Sequence, residues 1–511
     1  MFSPSISEVL SLSTQYNFIP IRLSILADQE TPIRIYQKLR STDSFLLESV
    51  EGGSRWARYS FIGLHPFLTL EAKGEQAAIK RRGEQEQIVT GNPVLLLQEL
   101  MKEYNSPQLS GFPRFTGGAV GFFGYNTLNY FERLPLHQNE TQEVPDIRFL
   151  FVDECIAFDH LKQEIQLLIH LRINPTDTED EIRVNYDLVC KRLSKLADRV
   201  FADLPSMIAN VPIPSAVPSA SNLKVIPNME QQEFERIVER AKEYIAAGDI
   251  FQVVLSQRFT VETQIDPFSV YRVLRTLNPS PYMYYLQFED ETLVGTSPEL
   301  LVRVEDRKVE MRPIAGTRKR GATPEEDENL GAELLSDPKE RAEHYMLLDL
   351  GRNDVGRVSE YGSVVVEEQM VIEHYSHVMH MVSHVTGQLR EDLHPFDALL
   401  SAFPAGTVSG APKLRAMEII AELERDARHT YAGAIGYLSF TGNMDTCITI
   451  RTLLFKDNQA HVQAGAGIVA DSVPQLEYQE TINKAAALIR ALDTAQQLFA
   501  RKEAKACYQE R

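Results

Sequence analysis

The stretch from Tyr282 to Ile314 constrains the fold more than any other. It holds four strand-like runs, at roughly 282–288, 292–296, 299–304 and 308–314, joined by connections of only a few residues. Parallel neighbours need a crossover of a dozen residues or more, so runs this close must pair antiparallel. Further strand patterns fall at about 363–385, 431–440, 446–455 and 461–469, and helical periodicity at about 325–353, 395–402, 412–424 and 474–499. The class is therefore α+β, with long antiparallel strands and helices outside them.

One segment has no periodicity. "LPSMIANVPIPSAVPSASN", Leu204 to Asn222, is rich in Pro, Ser and Ala and reads as a linker. It divides the chain into an N-terminal region, 1–203, and a larger region, 223–500, followed by a polar tail, 501–511. Before the linker, "IRFLFVDECIAFDH" and "EIQLLIHLRI" read as a β-hairpin. "TEDEIRVNYDLVCKRLSKLADRVF" reads as an amphipathic helix with acids in its first turn. After it, "MEQQEFERIVERAKEYIAAG" is a helix closed by Gly248 and "DIFQVVLSQRFTV" is a strand. Two glycine-punctuated strands, "FTGGAVGFFGY" at 115–125 and "YAGAIGYLSF" at 431–440, echo each other, which close backbone packing where two sheets meet explains better than a duplication between the halves.

Composition excludes several function classes. The 511 residues are 43% hydrophobic, enough for a large core. A net charge of −19 repels nucleic acid and anionic membrane. Cys155, Cys190, Cys447 and Cys507 lack the paired spacing of a zinc site or disulfide framework, which fits a reducing compartment. The first twenty residues hold no Lys or Arg and no apolar run is long enough to span a bilayer, so a cytoplasmic location is expected.

Candidate chemistry begins in "DPKERAEHYMLLDLGRND", where Glu340, Glu343 and His344 fall within one helical turn. A second acidic helix start, "QLEYQETINKAAALIRAL", carries Glu480, Asn483 and Lys484. Alone, each reads more readily as a solvated helix face. Nearby, "QAGAGIVADS" sets Gly465, Ala466 and Gly467 at a strand-to-turn position, and "FPAGTVSGAPK" leads into a helix at about Pro412. Bare backbone amides accept anions without side-chain interference. With Arg451 of "CITIRTL" able to fork onto a carboxylate, these parts favour a small polyanionic substrate, and Mg²⁺ would suit the carboxylates. In "IEHYSHVMHMVSHV", strand alternation puts His377 with Tyr375 and Met379, and His374 with Ser376, Val378 and His380.

The motifs together resemble the chorismate-utilising enzyme family. "FLLESVEGGSRWARYSFIG", "NPSPYMYYL", "GTSPELLVR", "RPIAGTRKRG", "DPKERAEHYMLLDLGRND", "YSHVMHMVSHV", "FPAGTVSGAPK", "DTCITIRT" and "AGAGIVADSVPQLEYQETINKA" occur in the family's order over most of the chain. The resemblance implies two large antiparallel β-sheets packed as a sandwich with helices outside. It implies Glu343 and Glu480 as Mg²⁺ ligands, and Gly316, Thr317, Tyr431, Arg451, Gly465, Ala466, Gly467 and Lys484 as chorismate contacts. Glu299 is then the acid that protonates the departing C4 hydroxyl and His380 its acid/base partner, with Glu340 and Thr407 as supporting polar groups. Ser49, Pro281, Tyr282 and Met283 resemble the family's tryptophan-binding elements.

Two positions separate the branches of that family. Where relatives that aminate C4 through a covalent intermediate typically have lysine, this chain has Ala315, which cannot be a nucleophile. Where relatives that add water typically have a lysine base, it has Gln252. Both point to ammonia adding at C2 and to anthranilate as product. No glycine-flanked cysteine elbow is present, so the resemblance implies a separate glutamine amidotransferase subunit as ammonia source and L-tryptophan as feedback inhibitor. The alternatives left open are formation of aminodeoxychorismate and an inactive tryptophan-binding homologue.

Overall fold

The structure is a computed structural model that describes all residues except 1, 50–57, 136–142, 204–222, 376–377 and 510–511, and no side chain from 500 onward. The Pro/Ser/Ala-rich linker thus lies outside the described residues, as does His377. Two antiparallel sheets, of 13 and 12 strands, form the frame. They face each other through a layer to which the first sheet contributes Phe45, Tyr284, Leu286, Leu293 and Leu454, and the second Phe122, Leu150, Ile435 and Tyr437. Strand alternation sends Leu46, Tyr285 and Val294 to the opposite face, where they pack with the helices Pro32–Leu39, Glu179–Phe201 and Pro267–Leu277. Among the described helices, none is long and apolar enough to cross a membrane.

Segments from either side of the linker interleave in both sheets. Ser44–Glu48 pairs with Tyr282–Gln287 in the first, and Gly118–Phe123 with Ala434–Ser439 in the second. The echoing glycine strands are thus direct neighbours in one sheet, with Gly121 opposite Gly436, rather than a contact between sheets. A Cβ on Gly121 would fall 1.9 Å from the Arg148 carbonyl oxygen, and one on Gly436 2.0 Å from that of Asp445, so close approach accounts for both glycines.

Several elements are shorter than their sequence patterns. The pattern at 325–353 is two helices, Pro324–Ser336 and Pro338–Val358, because Pro338 has no N–H to continue the first and Asp337 caps the second through Lys339 N (2.9 Å) and Glu340 N (3.3 Å). The run 363–385 is a hairpin of Val365–His374 and Val378–Gln388, so alternation does not carry across residues 374–378. The run 308–314 breaks at Arg312–Pro313 into Lys308–Met311 and Ile314–Lys319. The run 446–455 leaves one sheet for the other: Met444–Ile448 belongs to the second, Thr452–Lys456 to the first. "IRFLFVDECIAFDH" does the same at Asp153, so only Glu154–Asp159 forms the expected hairpin with Glu164–Arg172. The last helix runs from Pro474 to Gln509, through the stretch read as a polar tail.

Candidate active site

A cavity of about 870 Å³ opens where the strands Gln252–Glu262 and Gln459–Ile468 of the first sheet approach Ile314–Lys319 and Val378–Gln388 of the second. Each wall has a local cause. The strand Ile314–Lys319 is bulged: Ala315 pairs with Met381 and Thr317 with His380, leaving Gly316 extra at φ +69°. The bulge turns the Gly316 carbonyl onto Nδ1 of His380 (3.1 Å), with the Thr317 hydroxyl at 3.1 Å from the same nitrogen. A carbonyl can only accept, so Nδ1 carries the proton and Nε2 keeps its lone pair. Burial lowers the His380 pKa, the Gly316 bond opposes that shift, and Arg451 adds to it, so the ring is neutral at neutral pH.

Glu299 sits on the same cavity, just before the strand Leu300–Glu305. Burial pushes its carboxyl up to about 7, against the Thr407 hydrogen bond (2.9 Å to Oε1) and the charge of Lys484. At neutral pH a substantial share of Glu299 is therefore in the acid form beside a neutral imidazole, the two protonation states that general acid/base chemistry needs.

The polar end is built by two helices and the crossing between the sheets. Arg451 stands at that crossing, held at φ +51°, and donates to the Lys484 carbonyl (3.3 Å). Lys484 in turn donates to the Gly465 carbonyl (2.9 Å) and pairs with Glu480 (2.6 Å). Glu343, from the helix Pro338–Val358, has neither hydrogen bond nor ion pair among the described residues, and burial, then the charges of Glu340 and Glu480, raise its pKa. Glu343 and Glu480 thus face one cavity from separate helices, as a shared cation would require. No group of three or more His, Cys, Asp or Glu arranged to hold a metal occurs among the described residues. An ion there would take its other ligands from substrate and water.

Not every expected residue reaches the cavity. Gly465 and Gly467 line it, and side chains there would collide with the Tyr431 hydroxyl (2.7 Å) and the Gln252 amide nitrogen (2.6 Å). The segment is strand up to Ile468 rather than a turn, so alternation sends Ala466, fully buried, into the core. Gly316 contributes through its carbonyl, while Ala315 and Thr317 form the wall. Glu340 lies behind the bulge, paired with Arg318 (3.0 Å). The sequence reading missed Lys339, Gln463 and Glu477, which also line the cavity. Glu477 is three residues before Glu480 on one helix, a spacing that could have revealed it.

A second, narrower cavity adjoins the first, sharing Pro298 and Ile314 with it, and is bounded by Ser49, Pro281, Tyr282 and Met283 together. Strand pairing brings Glu48 opposite Met283 across the linker. Glu48 is fixed by Tyr271 (2.6 Å) and Arg275 (3.1 Å), while the buried Ser49 hydroxyl has no hydrogen-bond partner among the described residues.

A two-sheet scaffold with this acid, base and carboxylate set defines the class. Residues 43–490 match the family described as chorismate binding enzyme, and the chain belongs to that family. Among its relatives, anthranilate synthase component 1 of Acetivibrio thermocellus is 51% identical over 97% of this chain and 99% of its own. That of Aquifex aeolicus is 46% identical over 96% and 98%. The crystal structure of anthranilate synthase component I from Streptococcus pneumoniae superposes with a TM-score of 0.75 at 39% identity, covering 91% of this chain and 99% of that one. The menaquinone-specific isochorismate synthase of Escherichia coli shares the fold at 18% identity and a TM-score of 0.69.

Proposed function

We propose that this chain is the aminating subunit of an anthranilate synthase, converting chorismate and ammonia to anthranilate and pyruvate in the cytoplasm at the start of tryptophan biosynthesis. The observation that carries this reading is one cavity that holds Glu299, whose carboxyl burial pushes up to about 7, together with a neutral His380, and whose wall offers Ala315 and Gln252, neither of which can be a nucleophile or a base.

The chemistry follows from these groups. Ammonia bonds to C2 and its nitrogen gives up one proton to solvent, the ring double bonds shift, and the C4–O bond breaks. Glu299 gives its proton so that the hydroxyl leaves as water. His380 Nε2 is the base available for the C2 proton of the amino intermediate; its loss makes the ring aromatic as the C3–O bond breaks, and the departing enolate takes up a proton at its methylene carbon to become pyruvate. Arg451 and Lys484 supply positive charge for the substrate's carboxylates. Glu343 and Glu480 would hold Mg²⁺, which supplies charge that neutralises the ring carboxylate. Ammonia would come from a glutamine amidotransferase subunit, the counterpart implied by relatives named component 1.

The second cavity supports L-tryptophan as feedback inhibitor, because an unpartnered buried hydroxyl beside an apolar wall suits a ligand with both characters. Ser49→Phe is expected to abolish inhibition while activity persists; unchanged inhibition would remove this assignment. The main test is incubation of the purified chain with chorismate, Mg²⁺ and an ammonium salt over a pH series from neutral to alkaline, so that the acid form of Glu299 and free ammonia are both sampled. Growing anthranilate fluorescence, suppressed by tryptophan, is expected. Chorismate loss without anthranilate would make aminodeoxychorismate or isochorismate the product, and no loss would indicate a partner-dependent or inactive chain.

A further inference from the structure

Arg428 is 1% exposed and lies in the core behind the active site. Its guanidinium donates from Nε to Glu424 (2.8 Å) and to the main-chain carbonyls of Val408 and Val254 (2.7 Å each). It also lies against the rings of Tyr125 and Tyr431, at 4.8 and 5.5 Å. Glu424 is held in turn by the Ser256 N–H (2.7 Å) and hydroxyl (3.0 Å).

Net stability is a weak reason for such a pair, because apolar packing of equal volume often does as well. Its partners suggest another. Val408 follows Thr407, the donor to Glu299, in the short turn Gly406–Val408. Val254 pairs with Gly467, and the Tyr431 ring forms cavity wall. One planar fork thus ties together three walls that come from different parts of the chain. We infer that Arg428 is a positioning residue: it fixes the Thr407 turn, and through Thr407 the placement of the Glu299 carboxyl.

The inference rests on Glu299 being the acid, and the test separates the two ideas. Ammonia-driven turnover is followed against pH in the full chain, with free ammonia held constant, for Thr407→Val, Arg428→Lys and their combination. The Thr407 hydroxyl favours the ionised carboxylate, so its loss raises the acid's pKa and moves the alkaline limb of kcat upward. Arg428→Lys is expected to move that limb the same way, by about half a unit or more, the size of one weakened charge-assisted hydrogen bond. The double variant should move it no further. If Thr407→Val moves the limb and Arg428→Lys lowers kcat or Tm without moving it, Arg428 is structural only and the inference fails. If Thr407→Val itself leaves the limb in place, Glu299 is not the titrating acid and both ideas fall. Should Arg428→Lys not fold, Glu424→Gln, which keeps an acceptor for the guanidinium, reads the same limb.

Discussion

At the residue scale the site depends on two groups whose surroundings push them toward neutrality. Burial holds the Glu299 carboxyl up near about 7, so the acid form is lost as pH rises through that value. Glu299→Gln removes the proposed proton donor and is expected to lower kcat by ~10²-fold or more, measured as anthranilate formed under saturating chorismate. The same substitution should affect stability in the opposite sense. A carboxyl whose folded pKa lies above its ordinary 4.5 binds its proton more tightly in the native state, so native stability falls as pH rises from about 4.5 to about 7. At pH 8 Glu299→Gln should therefore be about 3 kcal/mol more stable in urea titrations, and at pH 4 the difference should vanish. Glu299, His380 and Thr407 were legible in the sequence through their motifs. Ala466 was assigned with its glycine neighbours as a substrate contact, but strand alternation buries it, a distinction the motif does not carry.

At the scale of elements, the bulge and the helix break matter most. Gly316 has φ +69°, and a Cβ there would come 2.8 Å from Leu334 and 3.0 Å from the Glu340 carboxylate. Gly316→Ala should cost about 1–3 kcal/mol and displace the carbonyl that holds His380, so a lower denaturation midpoint is expected together with lower kcat. Asp337→Ala removes both the cap of the helix bearing Glu343 and an Arg318 contact (3.2 Å). A loss of about 1 kcal/mol is expected in chemical denaturation. Periodicity found these elements but not their breaks. Pro338 and Pro313 were visible in the sequence, yet hydrophobic spacing continued across both. The passage of 444–456 from one sheet to the other has no local signature, because both halves are equally buried strands. That passage is what places Arg451 in the cavity.

For the whole molecule, the interleaving of segments from before and after the linker decides cooperativity. Ser44–Glu48 sits between Tyr59–Gly63 and Tyr282–Gln287, and Gly118–Phe123 between Ala434–Ser439 and Ile147–Val152. Separating the regions would expose unpaired edges and the apolar layer between the sheets. Calorimetry of the intact chain should therefore show one cooperative transition, and residues 1–203 expressed alone should aggregate or stay unfolded; two separated transitions would contradict this. By itself the sequence determined antiparallel pairing, several of the helices, and the residue types of the site, because these follow from spacing, turn chemistry and motifs within a few residues. Only the tertiary structure decided that Glu299, Glu343, His380, Arg451 and Glu480 share one cavity, and that Ser49 meets Pro281 to Met283 in another. Those neighbours are set by which strands pair across long stretches of chain, and by the burial that pairing imposes, which no local pattern encodes.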